Sequence, residues 1–430
     1  MIESLDVMLW GEKVGTLVSS RENHRNKACF YFDPAYVSGG YDIAPLRAPV
    51  KGVAAQRGLP VYPEEERIFG GLPSFVADSL PDHWGNTVFN EWAKAHRIRV
   101  RELSALDRLA YIGRRGMGAL EFVPPTAEEM ETPFRVEITD LYELARRALE
   151  QAGTFHAAVS GDLMIESLFK VGTSAGGRRP KAVVNVNLEK GECYSGQVAT
   201  PYPGYTPMII KFDEHLKMPT TRVEYSYYLM AADAGLKMMP SRLLEGETET
   251  HFLTERFDRR GDKKVHVQTL AALKPSANSY EDLFDTAFRI GVPPAEIQQL
   301  FRSMVMNVLG GNVDDHNKNF SFLMGDDGLW HAAPAYDYTF TVDTEAPYYV
   351  NRHSMTVNNK TEDITAEDLM AAARKYDIKA AEPFIKKAAA TVSNYSEYAR
   401  RAGVGDAWTE IIEKEIAARV ESLDGGGVKG

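Results

Sequence analysis

Hydrophobic and polar positions alternate over the first 35 residues in the manner of strands. Val7-Met8-Leu9-Trp10 and Val14-Gly15-Thr16-Leu17-Val18 flank a Gly-Glu-Lys turn, and Ala28-Cys29-Phe30-Tyr31-Phe32 leads to Asp33-Pro34. A small antiparallel sheet is expected. The period then changes. Trp84, Val88, Phe89 and Trp92 follow Pro81 at helical spacing, and Leu106, Leu109 and Ile112 follow Ser104, a residue suited to cap a helix. The polar, proline-punctuated stretch from Pro124 to Pro133 reads as a linker, followed by an amphipathic helix with Ile138, Leu141 and Ala145 inward.

The middle third is richer in strand signals. Val184, Val186 and Leu188 alternate with Asn185 and Asn187, Met208 to Phe212 form a short apolar run, and Leu243-Leu244 and His251 to Thr254 flank a Glu245-Gly246 turn. One helix interrupts these strands, with Thr221 able to cap it, Val223, Tyr227, Met230 and Ala231 inward, and Gly235 as its stop. From about residue 280 helices dominate. Ile297, Leu300, Phe301, Met304, Val305 and Val308 mark the clearest one, ended by Gly310-Gly311. These patterns divide the chain into an α+β unit at 1–125, a strand-rich lobe at 136–257, a helical lobe at 258–424 and a tail at 425–430, with a cleft between the lobes as the default ligand site.

Composition narrows the classes. The chain has 430 residues, 44% of them apolar, so it can bury substantial cores. Its 49 Lys+Arg against 60 Asp+Glu give a net charge of −11, which repels phosphate backbones and anionic membranes; contact with DNA is expected only through a partner. Cys29 and Cys193 stand in no CxxC context, so neither a disulfide framework nor a zinc site is expected. The N-terminus lacks the basic and apolar regions of a signal peptide, and no apolar run reaches the ~18 residues of a membrane helix. A cytoplasmic protein with no membrane partner is expected.

The densest polar cluster in an apolar neighbourhood is Asn312-Val313-Asp314-Asp315-His316-Asn317-Lys318-Asn319-Phe320. Asp314 and Asn319 have the D-x-x-x-x-N spacing of a protein-kinase catalytic loop, in which the Asp accepts the substrate hydroxyl proton and the Asn binds Mg²⁺. A short loop after a rigid helix holds base and metal ligand on one side of a γ-phosphate. Phe320 to Met324 and Leu329 to His331 then read as a hairpin around Gly325-Asp326-Asp327-Gly328, returning Asp337 beside Asn319 as a second oxygen ligand. A polar Asn/Asp-rich turn is the plainer alternative. His316 and Lys318 could each steady the γ-phosphate, or His316 could simply bond the loop.

Upstream, the basic, glycine-rich segment Gly172-Thr173-Ser174-Ala175-Gly176-Gly177-Arg178-Arg179-Pro180-Lys181 could offer amides and cations to phosphates, or be a surface loop. It matches neither a Walker A loop nor G-x-G-x-x-G. Lys211 closes an apolar strand and is either a surface lysine or the lysine of the α/β-phosphates. Glu224 either completes a capping box with Thr221 or pairs with Lys211. Glu255-Arg256-Phe257-Asp258-Arg259 is placed to be the hinge that receives adenine, or a solvated turn. The order along the chain is that of a kinase.

These motifs together resemble the HipA family, the bacterial serine/threonine kinases that act as toxins of type II toxin–antitoxin pairs. Val14-Gly15-Thr16-Leu17, Leu80-Pro81-Asp82, Ile112-Gly113-Arg114, Ile209-Ile210-Lys211 and Val223-Glu224-Tyr225 also carry the likeness, most specifically with the 255–259, 312–320 and Ala335-Tyr336-Asp337 segments. The resemblance implies a two-lobed, protein-kinase-like α+β fold with an additional N-terminal α+β subdomain and an all-α C-terminal lobe. It implies ATP and Mg²⁺, with Asp314 as base, Asn319 and Asp337 as metal ligands, and Lys211 on the phosphates. It also places Glu255 and Phe257 at the adenine; by charge and chemistry, Lys181, His316, Lys318 and the loop Gly172 to Gly177 are the further candidates for holding the nucleotide. It further implies autophosphorylation at Ser174 or Thr173, and a Ser/Thr hydroxyl on a translation-related protein such as an aminoacyl-tRNA synthetase as substrate. Growth inhibition and persistence would follow. The implied partner is a small helix-turn-helix antitoxin (HipB-like) that binds operator DNA. A small-molecule phosphotransferase and a non-catalytic corepressor scaffold are the competing readings.

Overall fold

Trp10 and Gly11 both take positive φ, 49° and 86°, the pair of left-handed residues that a tight two-residue hairpin requires. Leu9 therefore faces Glu12, and the turn falls one residue ahead of the expected Gly-Glu-Lys. Strands Ser4–Leu9, Glu12–Ser20, Lys27–Phe32 and Leu120–Val123 form an antiparallel sheet in which the first hairpin lies between the third strand and the last. Leu5, Val7 and Leu9 are buried along one strand face while Asp6 and Met8 are less covered, the alternation of a half-buried sheet.

The structure is a computed structural model that describes residues 2–20, 27–64, 69–124, 135–150, 177–196, 203–345 and 351–423. Most of the expected linker and the tail at 425–430 lie outside the described residues. The chain packs into two compact units, one of residues 1–214, 253–268 and 324–328, the other of 215–252, 269–323 and 329–430. No helix among the described residues is long and apolar enough to cross a membrane. Cys29 and Cys193 are both buried.

In the first unit, helix His83–Ala95 buries Trp84, Val88, Phe89 and Trp92, the expected face. Ser104 opens helix Ala105–Ile112 with a full capping box: its hydroxyl accepts from the Asp107 N–H and its own N–H donates to the Asp107 carboxylate. A second antiparallel set, Glu192–Ser195, Lys181–Asn187 and Thr206–Lys211, has Lys181–Asn187 as its middle strand. That strand is buried at all seven positions, so both its faces are covered, and the expected alternation is lost because Asn185 satisfies itself on the Ser195 carbonyl at 3.2 Å. Tyr41 Oη donates to the Asp326 carbonyl (2.8 Å) and Lys263 pairs with the Asp326 carboxylate (2.7 Å), which anchors the Gly325-to-Gly328 turn.

In the second unit, helix Thr220–Ala234 starts one residue before Thr221 and ends at Gly235 in the left-handed region. Thr221 Oγ1 donates to the Thr250 carbonyl at 2.6 Å and caps nothing, so no capping box forms with Glu224. Helix Pro294–Gly310 is almost wholly buried over its last turns and stops at Gly311, φ 66°. Helices Ala366–Lys375, Ala381–Val392, Tyr395–Ala402 and Asp406–Leu423 complete this unit.

Candidate active site

The apolar face of helix Pro294–Gly310 carries the chain into the interior of the second unit, so the residues after its stop emerge from a fixed base. Two buried tyrosines accept the job of satisfying its end: Tyr338 Oη donates to the Met306 carbonyl (2.6 Å) and Tyr227 Oη to that of Gly310 (2.5 Å). A Cβ at Gly310 would stand 2.5 Å from Tyr338 Oη, which explains the glycine there.

The loop that follows is tied by its backbone. Thr341 Oγ1 accepts from the N–H of Val313 (2.7 Å) and of Asp314 (3.1 Å). Asn319 Nδ2 donates to the Asp314 carbonyl at 2.8 Å, closing the loop on itself. His316 Nδ1 accepts from the Lys318 N–H (3.3 Å) and opens the 3-10 turn Asn317–Asn319. The Asp314 side chain is 62% exposed, and His316 Nε2 stands 3.9 Å from its Oδ1. The base candidate thus projects from a loop whose backbone is held on both sides.

Asp337 is brought to the same region. Strands Ser321–Met324 and Trp330–Ala332 are neighbours in a sheet, as the hairpin reading expects. Beyond them, Tyr336 Oη donates to the Lys318 carbonyl (2.8 Å) and lies 2.7 Å from Ser321 Oγ. Asp337 adopts φ 54°, a left-handed conformation that Asp tolerates better than most residues, and its carbonyl accepts from Asn312 Nδ2 at 3.4 Å. With its nitrogen engaged on Asp314, Asn319 has Oδ1 as the atom suited to a cation. An amide oxygen and a carboxylate are the hard donors that Mg²⁺ takes, so these residues fit that ion. Among the described residues no group of three or more His, Cys, Asp or Glu is gathered as a self-sufficient metal cage.

In the first unit, Lys181 and Lys211 are direct cross-strand partners, and both are buried. Gly177 stands at the end of the glycine-rich segment with φ 102°; its N–H donates to Asp82 Oδ2 (3.1 Å), its carbonyl accepts from the Trp84 N–H (3.1 Å), and the Trp84 indole donates to the Lys181 carbonyl (2.8 Å). The Leu80-Pro81-Asp82 segment therefore clasps the foot of that loop. Gly172, Thr173, Ser174, Ala175 and Gly176, including both candidate autophosphorylation positions, lie outside the described residues.

The 255–259 segment is not a solvated turn. Glu255 and Phe257 are half-buried, whereas Arg256, Asp258 and Arg259 are buried. Asp258 accepts from Arg256 Nε and Nη2 (both 2.8 Å), from Arg259 Nη1 (2.6 Å) and from the Gly118 N–H (2.8 Å). Burial alone raises the Asp258 carboxyl, but the two guanidinium groups overcome it and hold it well below the usual carboxylate range. Glu224 is buried on helix Thr220–Ala234 in the second unit, and Lys211 belongs to the first.

Sequence reasoning missed Tyr280, Asn307 and His353 beneath the loop, and gave no separate role to Asn312 and Asp315 within it; all five are buried. Asp315 adjoins Asp314, and nothing in the sequence says which of the two faces inward.

A mixed α+β fold in two compact units, with an N-terminal α+β part in the first, is what these elements define. Residues 5–123 match the model of the HipA N-terminal domain and residues 173–408 that of the HipA-like C-terminal domain. The chain belongs to the HipA family. It is similar in structure to HipA of Shewanella oneidensis MR-1, solved in complex with HipB and its operator DNA: TM-score 0.68, 17% identity, covering 98% of this chain and 97% of that one. It is 27% identical over 164 residues to Y4mE of Sinorhizobium fredii, whose name marks it provisionally as a kinase; the match takes in 34% of this chain and spans 39% of that relative's length.

Proposed function

We propose that this protein is an ATP- and Mg²⁺-dependent serine/threonine protein kinase of the HipA toxin type. The observation that carries the reading is the Asp314 loop: an exposed carboxylate on a backbone held by Thr341 and Asn319, with the Asp337 backbone tied to the loop's start through Asn312. In this reading Asp314 accepts the proton of a Ser or Thr hydroxyl as its oxygen bonds the γ-phosphorus. The bond from that phosphorus to the β–γ bridging oxygen breaks, and ADP leaves. Asn319 Oδ1 and the Asp337 carboxylate would hold Mg²⁺, which when bound offsets charge on the phosphates. Lys181 and Lys211, side by side at the sheet end, supply fixed positive charge for the triphosphate. His316 and Lys318 flank the base, and Glu255 and Phe257 receive the adenine.

The acceptor is a translation-related protein, and the loop at Thr173 or Ser174 is a self-modification site. A HipB-like helix-turn-helix partner fits the acidic chain, since the Shewanella protein of the same fold was solved with HipB and operator DNA. Incubation with ATP and Mg²⁺ followed by intact-mass measurement tests the activity. One added phosphate is expected in the wild type and none when Mg²⁺ is chelated; absence of any transfer to protein would remove the reading.

The clasp at Gly177 gives a second expected result. A side chain at φ 102° is strained by about 1–2 kcal/mol, and a Cβ would lie 2.6 Å from Lys181 Nζ. Gly177→Ala should therefore displace the lysine and weaken ATP binding by roughly tenfold, as read by titration calorimetry.

A further inference from the structure

Asp314 and Asp315 are neighbours with opposite fates. The first projects into solvent, while Asp315 has no exposed surface. A buried carboxylate is costly unless its lone pairs are filled, and this one accepts three hydrogen bonds. Oδ2 accepts from Tyr280 Oη at 2.6 Å and from His353 Nδ1 at 2.9 Å, and Oδ1 accepts from the Ser354 N–H at 2.8 Å. Facing an acceptor, His353 Nδ1 carries the ring proton.

These donors belong to a longer chain of contacts. Ser354 also reaches the Val313 carbonyl through its N–H (3.0 Å) and its hydroxyl (3.1 Å), so one residue grips the loop on both sides of Asp314. In the other direction, Tyr280 Oη accepts from Asn307 Nδ2 (2.9 Å), Asn307 Oδ1 accepts from Asn312 Nδ2 (3.0 Å), and the same Asn312 amide reaches the Asp337 carbonyl (3.4 Å). All of these groups lie in the second unit. A polar turn needs no such relay, and apolar side chains of similar volume would fill the space at less cost.

We propose that Asp315 is a positioning residue: through His353, Ser354 and Tyr280 it fixes the direction of Asp314, and through Asn307 and Asn312 it keeps Asp337 in the same frame. This rests on the kinase reading of the site. Displacing a reacting group by about 1 Å costs on the order of 10²-fold in rate, so the relay acts on turnover more than on nucleotide affinity.

The test uses the full chain. Asp315→Asn exchanges an acceptor for a donor opposite groups that are all donors. It should lower Mg²⁺-dependent ATP turnover about 10²-fold while the KM for ATP moves less than about threefold. Tyr280→Phe, which removes one donor and opens the link to Asn307, should cost roughly tenfold. In an Asp314→Asn background, Asp315→Asn should cost less than about tenfold further, because its main effect runs through Asp314 and only the Asp337 branch remains. Amide hydrogen exchange should quicken at 313–319, 336–338 and 353–354 in Asp315→Asn and stay unchanged in the first unit. A full additional loss in the Asp314→Asn background, or unchanged exchange at those segments, would overturn the proposal. If Asp315→Asn does not fold, Tyr280→Phe and His353→Gln carry the same comparisons. A wild type that transfers no phosphate defeats the kinase reading, and the exchange data then still decide whether the relay holds the loop.

Discussion

Asp314→Asn should lower phosphate transfer by about 10²–10⁴-fold, equivalent to roughly 3–5 kcal/mol of transition-state stabilisation, and leave the fold intact. The two halves of this expectation have separate causes. The loss follows from removing the only group on the loop that is both exposed and able to take a hydroxyl proton in place; His316, 3.9 Å away, already spends Nδ1 on the Lys318 N–H. The retention of fold follows because two hydrogen bonds that hold residue 314 use its backbone: its N–H to Thr341 and its carbonyl from Asn319. Asn preserves both. The thermal midpoint should move by no more than a degree or two, as expected for an exposed substitution within about 0.5 kcal/mol. Transfer that survives at more than a tenth of the wild-type rate would move the base elsewhere.

The legible parts of this chain are those in which a local pattern has one physical solution. Trp84, Val88, Phe89 and Trp92 bury together because their spacing allows no other shared face, and Ser104 with Asp107 forms its box because cap and partner are three residues apart. The loop at 312–320 stands out because charged groups interrupt apolar flanks. What could not be read depends on distant partners. Thr221 looks like a cap, yet the Thr250 carbonyl takes its hydroxyl, 29 positions along the chain. Asn185 looks like an outward residue until Ser195 supplies an acceptor. The segment from Gly325 to Gly328 reads as a plain hairpin turn, and Tyr41 reaches it across 285 positions. In the same way Asp315 is indistinguishable from Asp314 until Tyr280 and His353 arrive from either side. Local propensity weighs tenths of a kcal/mol, and one buried hydrogen bond outweighs it.

Asp258→Ala should have the larger effect on stability, and it separates a structural cluster from a nucleotide hinge. Asp258 sits between Arg256 and Arg259, with side chains of 0%, 0% and 2% exposure, and also takes the Gly118 N–H. Removing it leaves two buried guanidinium groups facing each other without their shared anion. Breaking a buried pair in this way costs about 3–5 kcal/mol, a fall of roughly 10 °C in the midpoint of the unit that contains it. The pH dependence has a defined sign. The folded carboxyl lies well below its ordinary range, so its stabilisation is complete above the unfolded value near 3.9 and is lost as pH falls below that. His266, buried beside the Ile43 carbonyl and pushed down to about 4, adds a second acid loss as pH falls from about 6.5 towards 4, because the unfolded chain binds its proton first. That loss is common to wild type and variant and cancels in their difference. The gap between the two midpoints should therefore stay wide from pH 7 to about 5 and narrow below about pH 4. A gap independent of pH would mean that Asp258 contributes through packing and not through its charge.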